Sequence, residues 1–341
     1  MIMVVYMSIN ELNDKIDKMN NLVELHLHLD GALSINNCRK LAAIQNIDIS
    51  KDDNELSNLL MVSPNCHDLN EFLTKFEFPL TLLQTYEGIK ESVKNLQDEL
   101  IEQGIVYAEI RFAPQLHLSN GLTQEEVVAS AIEGLNVSEL RSNLLLCCMR
   151  GNDNHDANME TVRVAKKYLG NGVCAIDLAG AEGLFPTKDF EDVFRYAKEL
   201  EIPFTIHAGE ADGPGSVNDA ILFGAKRIGH GVRASEDPNI VKLIAEQGIT
   251  LEICPTSNIC TSIYDKVSDM PIKHFIDNGI NITINTDDPT VCNTKLKDEL
   301  KLVAEAFNLT YDDIVKLQLN AINASFASPE VKEEVIKRIN S

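Results

Sequence analysis

The sequence predicts an α/β protein of the TIM (β/α)8 barrel type, with extra helices inserted after its first strand. Three observations predict it. Short β-rich runs alternate with helix-like stretches along the chain, the pattern of parallel βαβ units, and the runs number eight. Residues able to bind metal cluster at the C-terminal ends of these runs, the face on which such barrels carry their active sites. The length of 341 residues suits one barrel with insertions.

In order, the strands expected are Leu22–His28, Ile105–Arg111, Asn143–Arg150, Val173–Leu178, Phe204–His207, Arg227–His230, Thr250–Cys254 and Asn281–Asp287. Helical stretches between them include Glu125–Leu140, Met159–Leu169, Asp189–Leu200, Pro238–Glu246 and Pro271–Asn278. In the last strand Ile280, Ile282 and Ile284 alternate with Asn281, Thr283, Asn285 and Asp287, so the isoleucines face the helices and the polar set faces the barrel interior. The segment of about 31–104 is too long for a simple crossover and reads as an insertion of helices. Within it Leu69, Phe72, Leu73 and Phe76 follow helical i, i+3, i+4, i+7 spacing, a helix packed on the barrel that also suits an apolar lid. The domain expected is one barrel over 22–341, preceded by an N-terminal extension over 1–21. Met1–Met7 lacks a basic region and a cleavage site, so it reads as a tail or an upstream start and not as a signal peptide.

Composition narrows the partners. A net charge of −22 argues against duplex nucleic acid and anionic membrane, both of which need a basic face. It leaves a small ligand open, because a pocket has its own local field. No apolar run is long enough to span a bilayer. The eight cysteines are scattered without a C-x-x-C pair, which fits a reduced, cytoplasmic protein and not a disulfide framework or cysteine metal site.

The chemistry starts at His26-Leu27-His28-Leu29-Asp30-Gly31. Residues two apart on a strand share a face, so both imidazoles point into the barrel. An H-x-H pair alone is weak evidence, because a lone buried histidine is more often merely satisfied. Here His207 of His-Ala-Gly-Glu, His230 of Gly-His-Gly and Asp287 of Asp-Asp-Pro stand at the ends of three further strands. Neutral imidazoles with one carboxylate suit zinc, and with no thiolate among them a catalytic site is favoured over a structural one.

Read together, HxHLDG, HAGE, GHG and TDDP resemble the adenosine deaminase branch of the metal-dependent amidohydrolases. Asp177-Leu178-Ala179-Gly180 and Cys254-Pro255-Thr256-Ser257 agree as well. The resemblance runs from about Leu22 to Phe326. It implies one Zn2+ per chain on His26, His28, His207 and Asp287, with Glu210 and His230 catalytic. Glu210 would protonate purine N1, and His230 would stabilise the attacking hydroxide or take its proton. His28 and Asp30 would contact the substrate, Asp30 at a ribose hydroxyl. The Gly180 amide would reach N3, and Asp288 would bond N7. The implied reaction is hydrolytic deamination of adenosine and 2′-deoxyadenosine to the inosines plus ammonia, in purine salvage. Adenine, N6-methylated adenosine or aminodeoxyfutalosine are alternative substrates, and a non-catalytic binding or signalling protein on the same barrel is the remote one. Strand four offers no lysine to carbamylate, which disfavours a two-metal site.

Plainer readings stand beside these. Glu210 also suits a solvated acid at a helix N-terminus, Asp288 an N-cap before Pro289, and Asp30 a turn residue. Gly180 also suits backbone geometry alone. Glu24, Glu109, Arg111, Arg150 and Glu252 read as an ion network within the barrel. Ala113 stands where animal members of the family carry serine, a departure that bears only on fine substrate choice.

Overall fold

A computed structural model describes residues 8–341 save 64, 65 and 67, so the Met1–Met7 reading lies outside the described residues. The strands are β1 (Leu22–His28), β2 (Ile105–Phe112), β3 (Arg141–Met149), β4 (Val173–Ala179), β5 (Thr205–Ala208), β6 (Arg227–His230), β7 (Thr250–Ile253) and β8 (Asn281–Ile284). They form two four-stranded parallel sheets, β1-β2-β3-β4 and β5-β6-β7-β8. Isolated parallel bridges join the sheets on both sides, Ile176 with Phe204 and Leu27 with Asp287. At the second junction the His28 N–H donates to the Asp287 carbonyl at 2.8 Å and the Asp287 N–H to the His26 carbonyl at 2.8 Å. The strands thus follow one another around a (β/α)8 barrel, with helices on the outside.

The last strand is shorter than its alternation suggests. It ends at Ile284, its first residue Asn281 is exposed, and Asp287 sits at φ 62°. A left-handed turn, and not strand alternation, therefore aims Asp287 inward. His230 at the end of β6 has φ 58°. Non-glycine residues in this region carry strain that the surroundings must hold, and such strain gathers at functional sites.

Among the described residues, five helices fill the insertion: Ile35–Gln45, Asp53–Leu60, Leu69–Leu73, Glu77–Leu82 and Tyr86–Glu102. The Leu69–Phe76 spacing does not run as one helix. After Leu73 the chain tightens into a 3-10 turn over Thr74–Phe76, where the Thr74 hydroxyl donates to the Glu71 carbonyl at 2.7 Å. Ahead of β1, Ile9–Asp17 forms a helix with a Ser8–Glu11 capping box and buries Leu12 and Ile16.

Inside the barrel the expected ion network is present in altered membership. Arg111 pairs with Asp177 at 2.7 Å and Glu252 at 2.8 Å. Arg227 pairs with Glu109 at 2.6 Å and Glu252 at 2.5 Å. Glu24 and Arg150 do not join it. Glu24 accepts from the His26 and Thr286 N–H groups and the Thr286 hydroxyl. Arg150 donates to the Phe185 and His207 carbonyls and to Thr187. Charge alone does not say which partner a buried ion meets. Among the described residues, no helix is long and apolar enough to cross a membrane.

Candidate active site

Strand alternation brings His26 and His28 to the C-terminal mouth of the barrel, where β5 supplies His207 and the turn after β8 supplies Asp287. One ligating atom from each of these four lies within 4.8 Å of all the others. The His26 and His207 Nε2 atoms are 3.0 Å apart, and the His28 and His207 Nε2 atoms 3.2 Å. Asp287 Oδ1 lies 3.0 Å from His26 Nε2 and 3.3 Å from His28 Nε2.

The far side of each ring sets its tautomer. His26 Nδ1 meets Glu252 Oε2 at 2.7 Å, and His207 Nδ1 faces Asp177 Oδ2 at 2.9 Å. Burial pulls both imidazoles below the usual histidine range, His207 to about 3, so they are neutral. With the Nδ1 proton turned to a carboxylate, each Nε2 carries a bare lone pair. The two bare Nε2 atoms, 3.0 Å apart, and the ionised Asp287 oxygen, 3.0 Å from that of His26, repel unless a cation stands among them. Asp287 Oδ1 is buried without a hydrogen-bond partner, as a ligand oxygen would be. The donor set therefore fits a metal ion. A second possible set, His26, His230, Cys254 and Asp287, fits less well, because burial drives the Cys254 thiol far above its usual range and keeps it protonated.

Around this point the site residues gather in a cavity of about 310 Å³ whose lining includes His28, Asp30, Gly180, His207, Glu210, His230, Asp287 and Asp288. Glu210 is 3% exposed, and the nearest following helix starts only at Pro214, so the solvated-acid reading fails. Burial raises its carboxyl, against the pull of His230, to about 7. His230 Nε2 lies 3.8 Å from Glu210 Oε2 and 3.7 Å from Asp287 Oδ2. Burial acts to lower His230, but these two carboxylates outweigh it and raise it. Asn258 Nδ2 lies 3.2 Å from His230 Nδ1, a contact that sequence reasoning missed because it stopped at Ser257 of the same motif.

Asp288 and Asp30 each keep an Oδ1 that is buried without a partner. Burial and the neighbouring Asp287 drive Asp288 well above the carboxylate range. Gly31 makes the Asp288 position possible, since a Cβ there would come within 1.8 Å of Asp288 Oδ1. Gly180 has φ +105°, a conformation that favours glycine. Leu69, Phe72, Leu73, Phe76, Leu80 and Leu116 form an apolar wall over the cavity, and Ala113 lies in its lining. The arrangement can bind a flat, partly polar ligand, hold one cation and present protonated carboxyls to acceptor atoms.

Comparison with known proteins agrees with this picture. A model of the family described as Adenosine deaminase matches residues 21–341. The adenosine deaminase of Haemophilus ducreyi is 44% identical over 327 residues, 93% of this chain and 95% of that protein. The structure of an adenine deaminase from Arthrobacter aurescens matches with a TM-score of 0.85 at 26% identity, covering 94% of this chain and 98% of its own. A zinc-bound amidohydrolase from Burkholderia ambifaria shares the fold, with a TM-score of 0.85 at 19% identity and 99% and 95% coverage.

Proposed function

The chain belongs to the adenosine deaminase family, and from that premise we propose that it converts adenosine and 2′-deoxyadenosine to inosine and 2′-deoxyinosine, releasing ammonia. The observation that carries this reading is the meeting of three imidazoles and one carboxylate beside a buried, protonatable Glu210. His26, His28, His207 and Asp287 are the residues that would hold one zinc ion. Two neutral rings with bare Nε2 atoms and an anionic oxygen form a nitrogen-and-oxygen donor set that zinc accepts. When bound, zinc supplies the Lewis acidity that makes hydroxide available near neutral pH.

The remaining work falls to the protein. Purine N1 is an acceptor that gains electron density as hydroxide adds to C6, so its partner must bring a proton. Glu210, raised to about 7, is protonated in a large share of molecules near neutral pH and serves as that acid. His230 stabilises the attacking hydroxide or takes the proton of the attacking water, and the raised range given by Glu210 and Asp287 suits the imidazolium that results. N7 is also an acceptor, and Asp288, held neutral by burial and by Asp287, donates to it. The Gly180 N–H serves N3, and the free Asp30 oxygen takes a ribose hydroxyl. The apolar wall keeps bulk water from the reacting carbon. As the tetrahedral carbon collapses, the amino group takes the proton that His230 had accepted and leaves as ammonia, and the C6 hydroxyl returns a proton to Glu210.

A place in purine salvage follows from the proposed reaction, and eight free thiols suit a reducing compartment. The test is a panel of adenosine, 2′-deoxyadenosine, adenine, N6-methyladenosine and AMP followed by ultraviolet absorbance, with metal analysis of the same sample. The expected result is fast turnover of the two nucleosides and one zinc per chain. Turnover of adenine alone, of AMP alone or of none would sink the reading.

A further inference from the structure

We propose that Glu182 is a positioning residue that fixes the turn bearing the proton donor Glu210, through a buried chain of hydrogen bonds that begins at Arg150. This rests on the reading of Glu210 as the acid. Glu182 follows β4 and is 1% exposed. Its Oε1 accepts the Gly209 N–H at 2.7 Å and the Ser216 hydroxyl at 2.5 Å. Its Oε2 accepts the N–H groups of Glu210 at 3.0 Å, Ala211 at 2.8 Å and Asp212 at 2.9 Å. One carboxylate thus gathers four consecutive main-chain donors, an anion nest supplied by the turn between β5 and the helix Pro214–Phe223.

Among the described residues, no cation lies within ion-pair distance of Glu182, which is unusual for a buried acid. Its counter-charge arrives through hydroxyls. The Arg150 guanidinium donates to Thr187 Oγ1 at 2.9 Å, the Thr187 and Ser216 hydroxyls are 2.7 Å apart, and Ser216 donates to Glu182. Every donor in that series can point towards the carboxylate, so the bonds polarise one another in one sense. Arg150 also donates to the His207 carbonyl at 2.6 Å. The chain therefore grips the β5 turn on both sides, at the carbonyl of His207 and at the amides of 209–212. The turn is irregular and its Gly209 is left-handed at φ +68°; Arg233 holds two of its carbonyls, Gly209 at 3.0 Å and Ala211 at 2.9 Å, while Glu182 gathers its amides. Since a displacement of about 1 Å at a reacting group costs on the order of 10²-fold in rate, the clamp bears on turnover more than on binding.

The test replaces Glu182 by Gln in the full, metal-loaded chain and reads kcat, KM and metal content with adenosine. Glutamine keeps the size but offers one acceptor oxygen to five donors. The expected result is kcat lower by about 10²-fold, KM within about three-fold of wild type, and unchanged metal content. The double variant Glu182→Gln, Glu210→Gln is expected to be no slower than Glu210→Gln alone, because an acid that is gone has no position to lose. Thr187→Val keeps the nest and cuts the link to Arg150. It is expected to lower kcat by about ten-fold at unchanged KM, and it serves if Glu182→Gln does not fold. Wild-type kcat in the single variants, losses that multiply in the double variant, or a loss explained by missing metal would each overturn the proposal. A wild-type chain inert on adenosine would instead overturn the functional reading beneath it.

Discussion

Carboxyls lining one cavity are driven in opposite directions. Asp287 lies well below the ordinary range despite its burial, with the His230 imidazole 3.7 Å away among the groups that hold it there. Glu210 is raised by burial to about 7, and burial and the neighbouring Asp287 drive Asp288 well above its ordinary range. The roles of ligand, acid and donor follow from surroundings and not from residue type. Replacing Glu210 by Gln is expected to lower kcat by roughly 10²- to 10⁴-fold while metal content stays normal. Since the working form of Glu210 is the protonated one, wild-type kcat/KM should fall as pH rises through about 7. Undiminished kcat/KM at high pH would contradict the acid role. Asp30→Ala should raise KM for adenosine more than for adenine, because only the nucleoside has a ribose to lose contact with, and an equal rise for both would contradict that contact. Much of this was legible in the sequence. H-x-H sets two rings on one strand face, and HAGE and GHG end their strands. Glu182 was not legible, because its contacts are made to a loop whose course depends on tertiary packing, and Asn258, on the short helix Pro255–Cys260, meets His230 only once that helix is packed over the end of β6. The same limit explains why Glu24 and Arg150 were expected in the ion network: a charge in a strand declares burial and not its partner.

At the scale of elements, β8 and its following helix show how local sequence is overridden. Strand alternation through Asp287 gives the right direction for that carboxylate by the wrong route, since β8 stops at Ile284 and a left-handed turn completes the path. The apolar spacing from Leu69 to Phe76 correctly marks a surface that walls the cavity, but the helix gives way to a 3-10 turn at Thr74. In the helix Leu296–Phe307, Glu299 is fully buried and accepts from the Thr256 N–H at 3.0 Å and the Thr294 hydroxyl at 2.5 Å. Burial raises its carboxyl from 4.5 to about 7. A raised folded-state value means that the stabilisation is complete below pH 4.5 and is lost as pH rises through about 7. Glutamine can accept from Thr256 and donate to Thr294 without titrating. Across that window the wild type should therefore lose on the order of 3 kcal/mol relative to Glu299→Gln, read by urea unfolding. Parallel pH profiles for the two would contradict the neutral, buried carboxyl.

Over the whole molecule, the closure of the barrel and the candidate metal site are one feature. The bridge that joins the last strand's continuation to β1 is made by Asp287, and its hydrogen bonds run to His26 and His28. Fold class was readable from the count and order of strands, whereas this coincidence of seam and site required coordinates. It also explains how residues spread from His26 to Asp287 come to share one point: β1 delivers two rings, β5 one, and the turn after β8 the carboxylate to the same rim. The measurement that tests the account most directly is anomalous diffraction at the zinc edge from crystals of the zinc-loaded chain. The account predicts one peak per chain, at about 2.0–2.2 Å from His26, His28 and His207 nitrogens and an Asp287 oxygen. No peak there, or a peak at a different set of residues, would contradict it.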